Sequence, residues 1–159
     1  LDTIQIDMLL AERFGMYYTD ENGEKKLPYI IHRTSLGCYE RTLAYLIETY
    51  AGALPTWMAP EQVRFLPVTD RAVDYCKEQA ATLTAQGYRV TVDTRSEKIG
   101  KKIRDAQMEK IPYMLIVGDR DIEAGTVSPR HRADGDLGAM TLDAFTAVLK
   151  DVVDNKLKK

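Results

Sequence analysis

The sequence contains few cysteines, no CxxC spacing and no long hydrophobic run, and each shortage excludes a class of protein. The two cysteines, Cys38 and Cys76, make neither a disulfide framework nor, within this chain alone, a zinc site. We therefore expect reduced thiols and a cytoplasmic location. The longest apolar runs, such as Tyr113–Val117, are too short to cross a bilayer, so no membrane partner is expected.

The charge of the chain is nearly balanced. The 159 residues include 22 Lys and Arg and 24 Asp and Glu, which gives a net charge of −2. No global basic field is present, so any contact with nucleic acid must use a local patch. The length suits one domain plus a piece of another. Because the chain begins with Leu1, not Met, and enters the strand-like segment Thr3–Met8 after one further residue, we expect it to be cut from a longer one.

The first 59 residues predict an antiparallel sheet followed by a helix. Thr3–Met8 alternates polar and apolar residues, while Phe14–Thr19 and Leu27–Thr34 flank an Asn-Gly turn, which is typical of a hairpin. Tyr39–Tyr50 has helical spacing. Its apolar stripe consists of Leu43, Leu46, Ile47 and Tyr50. Two prolines in residues 52–60 end this pattern, so we place a domain boundary between residues 59 and 60.

Residues 60–159 predict alternating strands and helices. The expected strands are Val63–Val68, Arg89–Asp93, Pro112–Val117 and Thr126–His131, and the expected helices are Asp70–Gln86, Glu97–Lys110 and Thr141–Lys156. Asp70 and Thr141 are placed to cap two of these helices, and Gly118–Asp121 is expected to be a turn. This alternation predicts an α/β fold with a mixed sheet flanked by helices.

One short segment joins a strand end to a helix start. In Ile31–Arg41, Gly37 permits a tight turn and Arg41 falls in the first turn of the following helix. The guanidinium fork suits a phosphate or a planar ring, and helix N-termini favour anions. The same position also suits a purely structural arginine paired with Glu40 or Glu48.

Gly37–Arg41 resembles motif 3 of the class II aminoacyl-tRNA synthetases, and the wider sequence resembles the threonyl-tRNA synthetase family. The matching segments are Thr3–Asp7, Ile31–Arg33, Pro55–Pro60, Glu97–Gly100, Ile103–Arg104, Ile111–Met114, Val117–Asp119 and Glu123–Val127. They follow the family order and cover essentially the whole chain. The resemblance implies that residues 1–59 are the end of a class II catalytic domain, with an antiparallel sheet and a helix, and that residues 60–159 are an anticodon-binding domain.

The resemblance also implies catalytic roles near the start of the chain. Arg41 would contact the triphosphate of ATP, with Cys38 beside it, while Thr3 and Gln5 would face the adenylate pocket. The full-length enzyme would use ATP and Mg²⁺ to join threonine to its tRNA, and it would be a homodimer. Because these residues are only part of a site, we expect the chain alone to be inactive and to hold no cofactor stoichiometrically.

His32 would be one ligand of the family's Zn²⁺, which holds the amino and hydroxyl groups of threonine and so excludes valine. The other ligands would lie outside this chain, and a catalytic zinc needs about three protein ligands. On the residues alone, a single histidine near a strand end is more often structural. His131 matches no zinc position and is expected on the surface.

A basic cluster surrounds the second predicted helix of the α/β part. It consists of Arg89, Arg95, Lys98, Lys101, Lys102, Arg104 and Lys110. Such a patch supplies the sequence-independent part of RNA binding. Alternatively, it is a solvated helix face with i,i+4 pairs such as Glu97–Lys101 and Lys101–Asp105.

The resemblance favours base reading by part of this region. The positions that match contacts to the second and third anticodon bases of threonine tRNA are Ser96, Lys98, Arg104, Asp121 and Arg130. Ser96 and Asp121 depart from the asparagine and glutamate that are usual in the family. Unstacked loop bases expose the edges that such side chains read.

Two other interpretations remain open. A free-standing RNA-binding or regulatory protein would use the anticodon-like domain without ligase activity, although the catalytic remnant argues against it. A generic nucleotide-binding α/β enzyme would need a GxxxxGK[ST] or GxGxxG element after a strand, and no such element follows a predicted strand.

Overall fold

The computed structural model describes residues 3–34 and 37–157, so Leu1 and residues 35–36 of the segment Ile31–Arg41 lie outside the described residues. It divides into two compact units, Leu1–Leu46 and Ile47–Lys159. The predicted domain boundary after residue 59 stays a prediction. Within the described residues, no helix combines the length and apolarity that a membrane crossing requires.

The first unit is built from short elements. They are β1 (Thr3–Asp7), α1 (Leu10–Arg13), β2 (Tyr18–Thr19), β3 (Lys25–Lys26), β4 (Ile30–Thr34) and the start of α2 (Tyr39–Tyr50). β1 pairs antiparallel with β4, and β2 pairs antiparallel with β3. Ala11 is the only buried hydrophobic side chain in the described part of this unit, so the unit has little core of its own.

The predicted antiparallel hairpin across the Asn-Gly turn is confirmed as the β2–β3 pair, but the prediction that Phe14–Thr19 pairs with Leu27–Thr34 is wrong. Phe14 closes α1 instead, because its N–H donates to the Leu10 carbonyl at 2.9 Å. The Asp20 carboxylate accepts two backbone N–H bonds across the Asn-Gly turn, which limits the ladder to β2 and β3. Pro28 then interrupts the returning strand, since proline has no N–H and restricts the residue before it. The strand resumes as β4 and pairs with β1.

The second unit carries the predicted mixed sheet. Its elements are β5 (Val63–Pro67), α3 (Ala72–Ala85), β6 (Val90–Val92), α4 (Ile99–Met108), β7 (Tyr113–Val117), α5 (Asp119–Ala124), β8 (Thr126–His131), β9 (Gly135–Asp136), β10 (Met140–Thr141) and α6 (Leu142–Asp154). The strand order is β10-β8-β7-β5-β6, and β9 pairs with β8. β5 runs parallel to β6 and β7, whereas β8 runs antiparallel to β7.

The sheet is covered on both faces, as alternation along the strands requires. On one face, Phe65 and Leu115 belong to a core with Leu83 of α3 and Phe145 of α6. On the other face, β5 and β7 pack against α4 in a smaller core. This core contains Leu66, Met114, Ala106 and Ile111, flanked by Ile99 and Ile103. β7 is therefore buried on both sides, which is typical of a strand with a continuous apolar run.

Two predicted helix starts differ from the structure. α3 begins at Ala72 with Arg71 at the N-cap, and Asp70 does not cap it, because the turn carbonyls of Thr69 and Asp70 already accept the N–H groups of residues 72 and 73. The predicted turn Gly118–Asp121 instead opens α5, since the Asp121 carboxylate accepts the Gly118 N–H at 2.9 Å. The cap by Thr141 is confirmed: its hydroxyl oxygen accepts the Ala144 N–H at 3.3 Å.

The proline-containing segment 51–59 is fixed to the second unit by side chains. Its carbonyl oxygens accept hydrogen bonds from Lys110, Arg132, Gln62 and Arg89. The accepting residues are Ala51, Ala53, Leu54, Thr56, Trp57 and Ala59. The segment therefore extends the sheet domain as an ordered arm and is not a free linker.

Candidate nucleic-acid interface

An open groove lies at the carboxyl ends of β5 and β6. It is lined by residues 67–70 and 94–98, together with Val73 and Lys102, and has a volume of about 500 Å³. Crevices outside the carboxyl ends of parallel strands are the usual ligand sites of open α/β sheets. Ser96 and Lys98, both predicted to read the anticodon, are exposed in the wall of this groove.

α4 presents two cations to solvent. Lys98 occupies its N-cap position, and Arg104 is exposed further along the same helix. Neither side chain makes an ion pair or hydrogen bond within the part of the chain that the structure describes. No side chain caps the N-terminus of α4, so its positive dipole end adds to the charge of Lys98. Both cations are therefore available to an anionic or acceptor-rich ligand.

The other five members of the predicted basic cluster have internal partners. Arg89 and Lys110 donate to carbonyls of the arm, Lys101 pairs with Glu97, Arg95 pairs with Asp93 and Asp105, and Lys102 is buried. The Glu97–Lys101 pair was predicted, but Asp105 pairs with Arg95 in place of Lys101. The cluster as a whole is thus mainly structural, and only its Lys98 and Arg104 remain unpaired among the described residues.

Arg95 and Asp93 hold the loop that forms one wall of the groove. The Asp93 carboxylate is 9% exposed and accepts Arg95 Nε at 2.9 Å and Arg95 Nη2 at 2.7 Å. The Arg95 backbone N–H donates to the same carboxylate at 3.1 Å. These hydrogen bonds lower the pKa of Asp93 below the usual value of an aspartate side chain. The carboxylate is therefore charged throughout the neutral range.

The lowered pKa of Asp93 predicts a defined pH dependence of stability. A depressed folded-state pKa stabilises the protein above the unfolded pKa, and this stabilisation is lost as pH falls through the folded pKa. We expect Asp93→Asn to lower the free energy of unfolding by about 2 kcal/mol at pH 7, and by progressively less below about pH 4. Urea unfolding between pH 3 and 7 measures this difference. The exposed Asp74→Asn variant is the control, and a loss that does not change with pH would contradict the assignment.

Asp121 lies in α5 and Arg130 lies in β8, and neither residue lines the groove. Asp121 accepts hydrogen bonds from Ser128 Oγ at 3.0 Å and Thr126 Oγ1 at 3.3 Å, in addition to the Gly118 N–H. Its carboxylate therefore joins α5 to β8, and its role in base reading stays a prediction.

Arg130 pairs in register with Met114, which places it on the sheet face that carries α4. Arg130 Nε is buried and has no hydrogen-bond partner within the described residues.

The first unit brings three residues with predicted roles onto one face of a strand pair: Thr3 and Gln5 of the adenylate pocket, and the zinc ligand His32. Gln5 lies opposite His32 and Thr3 lies opposite Thr34, so these side chains share a face of the β1–β4 pair. Cys38 and Arg41 are exposed near the start of α2. Arg41 forms no ion pair with Glu40 or Glu48 in the described part of the chain.

The donor set around His32 does not by itself fit zinc. Its Nε2 lies 4.0 Å from Asp7 Oδ2. The other carboxylate oxygen of Asp7 accepts the N–H groups of Leu9 and Leu10, both at 2.9 Å, at the start of α1. Among residues 3–34 and 37–157, no three His, Cys, Asp or Glu side chains converge on a metal position. A catalytic zinc needs about three protein ligands, so no step of the chemistry is assigned to zinc here.

Two residues were placed on the surface by sequence reasoning and are buried. His131 is 3% exposed, with Nδ1 2.9 Å from Asp134 Oδ2 and its ring 4.9 Å from the Tyr113 ring. It falls on the inward face of β8 together with Val127.

Lys102 is buried because it follows Ile99 by three residues and precedes Ala106 by four, so it lies on the apolar side of α4. That helical spacing was the signal in the sequence.

Comparison with known proteins agrees with this geometry. A family model described as "Anticodon binding domain" matches residues 62–152. The threonine–tRNA ligase of Clostridium perfringens (strain SM101 / Type A) is 59% identical over 143 residues, which cover 90% of this chain and 22% of that protein. The threonine–tRNA ligase of Clostridium botulinum (strain Eklund 17B / Type B) is 54% identical over 156 residues, covering 98% of this chain and 24% of the relative.

A solved structure shows the same arrangement. The crystal structure of the RNA binding domain of threonyl-tRNA synthetase from Cryptosporidium parvum Iowa II superposes with a TM-score of 0.73 at 33% identity, covering 95% of this chain and 38% of that one. The resemblance to threonyl-tRNA synthetases is thereby confirmed, and the chain spans about a quarter of the length of the curated relatives. Because the family model matches more than half of its residues, the chain belongs to the anticodon binding domain family.

Proposed function

We propose that this chain supplies tRNA recognition within a threonine–tRNA ligase, by reading bases in the anticodon loop of threonine tRNA. The observation that carries the proposal is the pair of unpaired cations on α4, Lys98 and Arg104, with Lys98 and Ser96 lining the groove. The family match and the ligase relatives support it.

The side chains at this surface suit unstacked bases and the phosphates between them. Lysine and arginine donate to guanine O6 and N7 or to phosphate oxygens, and a serine hydroxyl donates and accepts. Arg130 does not line the groove, because it pairs with Met114 near the start of β7, and its contact with the anticodon would be a separate one. Anticodon loops expose base edges that a duplex would hide, so a local patch suffices in a chain with a net charge of −2.

The chemistry of the full-length enzyme is part of the same proposal. ATP with Mg²⁺ would activate threonine, and Arg41, with Cys38 and Gln5 nearby, would contribute contacts to ATP. Thr3 would border the adenylate, and His32 would be one of several Zn²⁺ ligands. Arg41 is exposed and has no ion pair among the described residues, so its guanidinium is able to donate to a phosphate without losing an internal partner. We further propose that the full-length enzyme is a cytoplasmic homodimer and that this chain alone is inactive.

A free-standing RNA-binding protein is the competing function. It would need only the sheet domain, whereas the Clostridium botulinum ligase aligns with 98% of this chain, including the first unit. That coverage favours a ligase part.

The proposal is tested by gel-shift binding of the chain to threonine tRNA and to the same tRNA with its second and third anticodon bases exchanged. We expect the exchanged tRNA to bind about 100-fold more weakly, since each lost base contact costs about 1–3 kcal/mol. Both titrations use one salt concentration, because phosphate contacts depend on salt. Equal binding to the two tRNAs would exclude base reading.

A further inference from the structure

Lys102 places a buried positive charge at the floor of the groove. The side chain is 4% exposed, and its Nζ donates at 3.1 Å to both the Pro67 carbonyl and the Asp93 carbonyl. These carbonyls stand at the carboxyl ends of β5 and β6, the strands that border the groove. An ammonium has three N–H donors, and the third has no acceptor among the described residues.

A buried ammonium is expensive to maintain at this position. No carboxylate lies within ion-pair distance of Lys102 in the described part of the chain. The Asp93 carboxylate attracts it from farther away but is hydrogen-bonded to Arg95, and burying a charge without a direct ion pair costs free energy. The position lies on the apolar stripe of α4 between Ile99 and Ala106, where methionine or leucine would pack without that cost. An apolar residue at this position would not supply the third N–H donor that Lys102 places beside the groove of about 500 Å³.

We propose that Lys102 is a base-reading residue whose third N–H donates to the exocyclic carbonyl oxygen of a base inserted in the groove. This inference rests on the proposed function and extends it to a residue on the floor of the site. Its acceptor would be guanine O6 or uracil O4, the carbonyl oxygens at the edges of these bases.

A base fits this floor better than a phosphate does. The groove wall contains Asp70, whose carboxylate repels a phosphate but accepts N–H groups from a base edge, and Glu97, whose carboxylate is already paired with Lys101. The ammonium is almost completely enclosed, so its partner must give up water. A neutral, planar base edge loses little hydration there, whereas a phosphate anion loses much more.

Lys98 and Lys102 should therefore have separable effects on binding. Lys98 is exposed at the groove wall and contributes mainly to affinity, with a dependence on salt. Lys102 is enclosed and contributes to the discrimination between bases. Because both residues are lysines at one helix, a comparison of their variants separates the effect of the residue's position from the effect of its side-chain type.

The experiment compares the chain with its Lys102→Met variant, and uses Lys77→Met, a change of an exposed lysine on α3 that does not line the groove, as the matched control. The probes are three short RNA hairpins. One carries a threonine anticodon, in which guanine and uracil pair with the first two codon bases. In the second, 2-aminopurine replaces that guanine and removes O6, and in the third, 2-pyrimidinone replaces that uracil and removes O4.

We expect the unmodified chain and Lys77→Met to lose about tenfold in affinity for one of the two altered hairpins. Lys102→Met should distinguish that hairpin from the natural one clearly less than the unmodified chain does. A smaller difference remains, because both base analogues also lack the ring N–H beside the missing oxygen. Lys102→Gln is the second variant, because its amide keeps two N–H donors for the strand carbonyls and lacks the third. Thermal unfolding of each variant establishes that binding is measured on folded protein.

Two results would overturn the inference and leave the proposed function intact. In one, the Lys102 variants discriminate the hairpins as the unmodified chain does. In the other, their affinity falls equally for all three hairpins, which indicates a phosphate contact or a structural effect. If the unmodified chain binds hairpins with exchanged anticodon bases equally well, base reading fails as a whole, and the role of Lys102 fails with it.

Discussion

Replacing Lys98 and Arg104 together with alanine is expected to weaken the binding of threonine tRNA by about 100-fold at moderate salt. Both side chains are exposed at α4 and have no ion-pair partner in the described residues. Their contacts with tRNA therefore replace no ion pair of the unbound chain. Each lost contact to a base or phosphate costs about 1–3 kcal/mol of binding free energy. Fluorescence anisotropy titrations at several salt concentrations measure the loss, and the slope of log K against log salt should become shallower.

The matched control is the double variant Lys77→Ala and Lys150→Ala. It removes the same charge from α3 and α6, which pack on the opposite face of the sheet from α4. Lys77 and Lys150 are also exposed, and they pair with Asp74 and Asp154. A similar loss of affinity in both double variants would mean that net charge, and not the surface of α4, governs binding.

The sheet domain was predictable because its strands and helices differ in hydrophobic periodicity. β5, β7 and β8 were predicted to within one residue at each end, and α2 was predicted at both ends. The pairing in the first unit was not predictable, because Asp20 shortens one ladder and Pro28 displaces the next strand. When several strands have a similar alternation of polar and apolar residues, such local interruptions determine which of them pair.

The candidate site was predictable where its residues are close in sequence. Ser96 and Lys98 lie in one loop and so reach the groove together. The burial of Lys102 and His131 was missed because both were assigned to the surface by residue type, whereas α4 and β8 turn them inward. Most cations of the basic cluster were also misjudged, since the carbonyls that hold Arg89 lie some thirty residues earlier in the chain.

Arg132 makes the most consequential of these distant contacts. Its guanidinium donates to the carbonyls of Ala53 at 3.0 Å, Leu54 at 2.6 Å and Lys110 at 2.8 Å, so it fastens the arm of residues 51–59 to the sheet domain. Burial lowers the pKa of Arg132, and no carboxylate lies within ion-pair distance in the described residues. These three carbonyls are the acceptors shown for a partly buried charge, which makes each hydrogen bond costly to lose.

We therefore expect Arg132→Met to lower the free energy of unfolding by about 3 kcal/mol, because three carbonyls lose a charged donor while the apolar stem is largely retained. Urea denaturation measures the change, and Arg120→Met, at an exposed arginine of α5, is the control. Hydrogen exchange should rise first in residues 51–55, since the arm detaches before the sheet opens. If stability falls by less than about 1 kcal/mol, or if exchange rises uniformly, the arm is held by its other contacts with Arg89 and Gln62 and does not depend on Arg132.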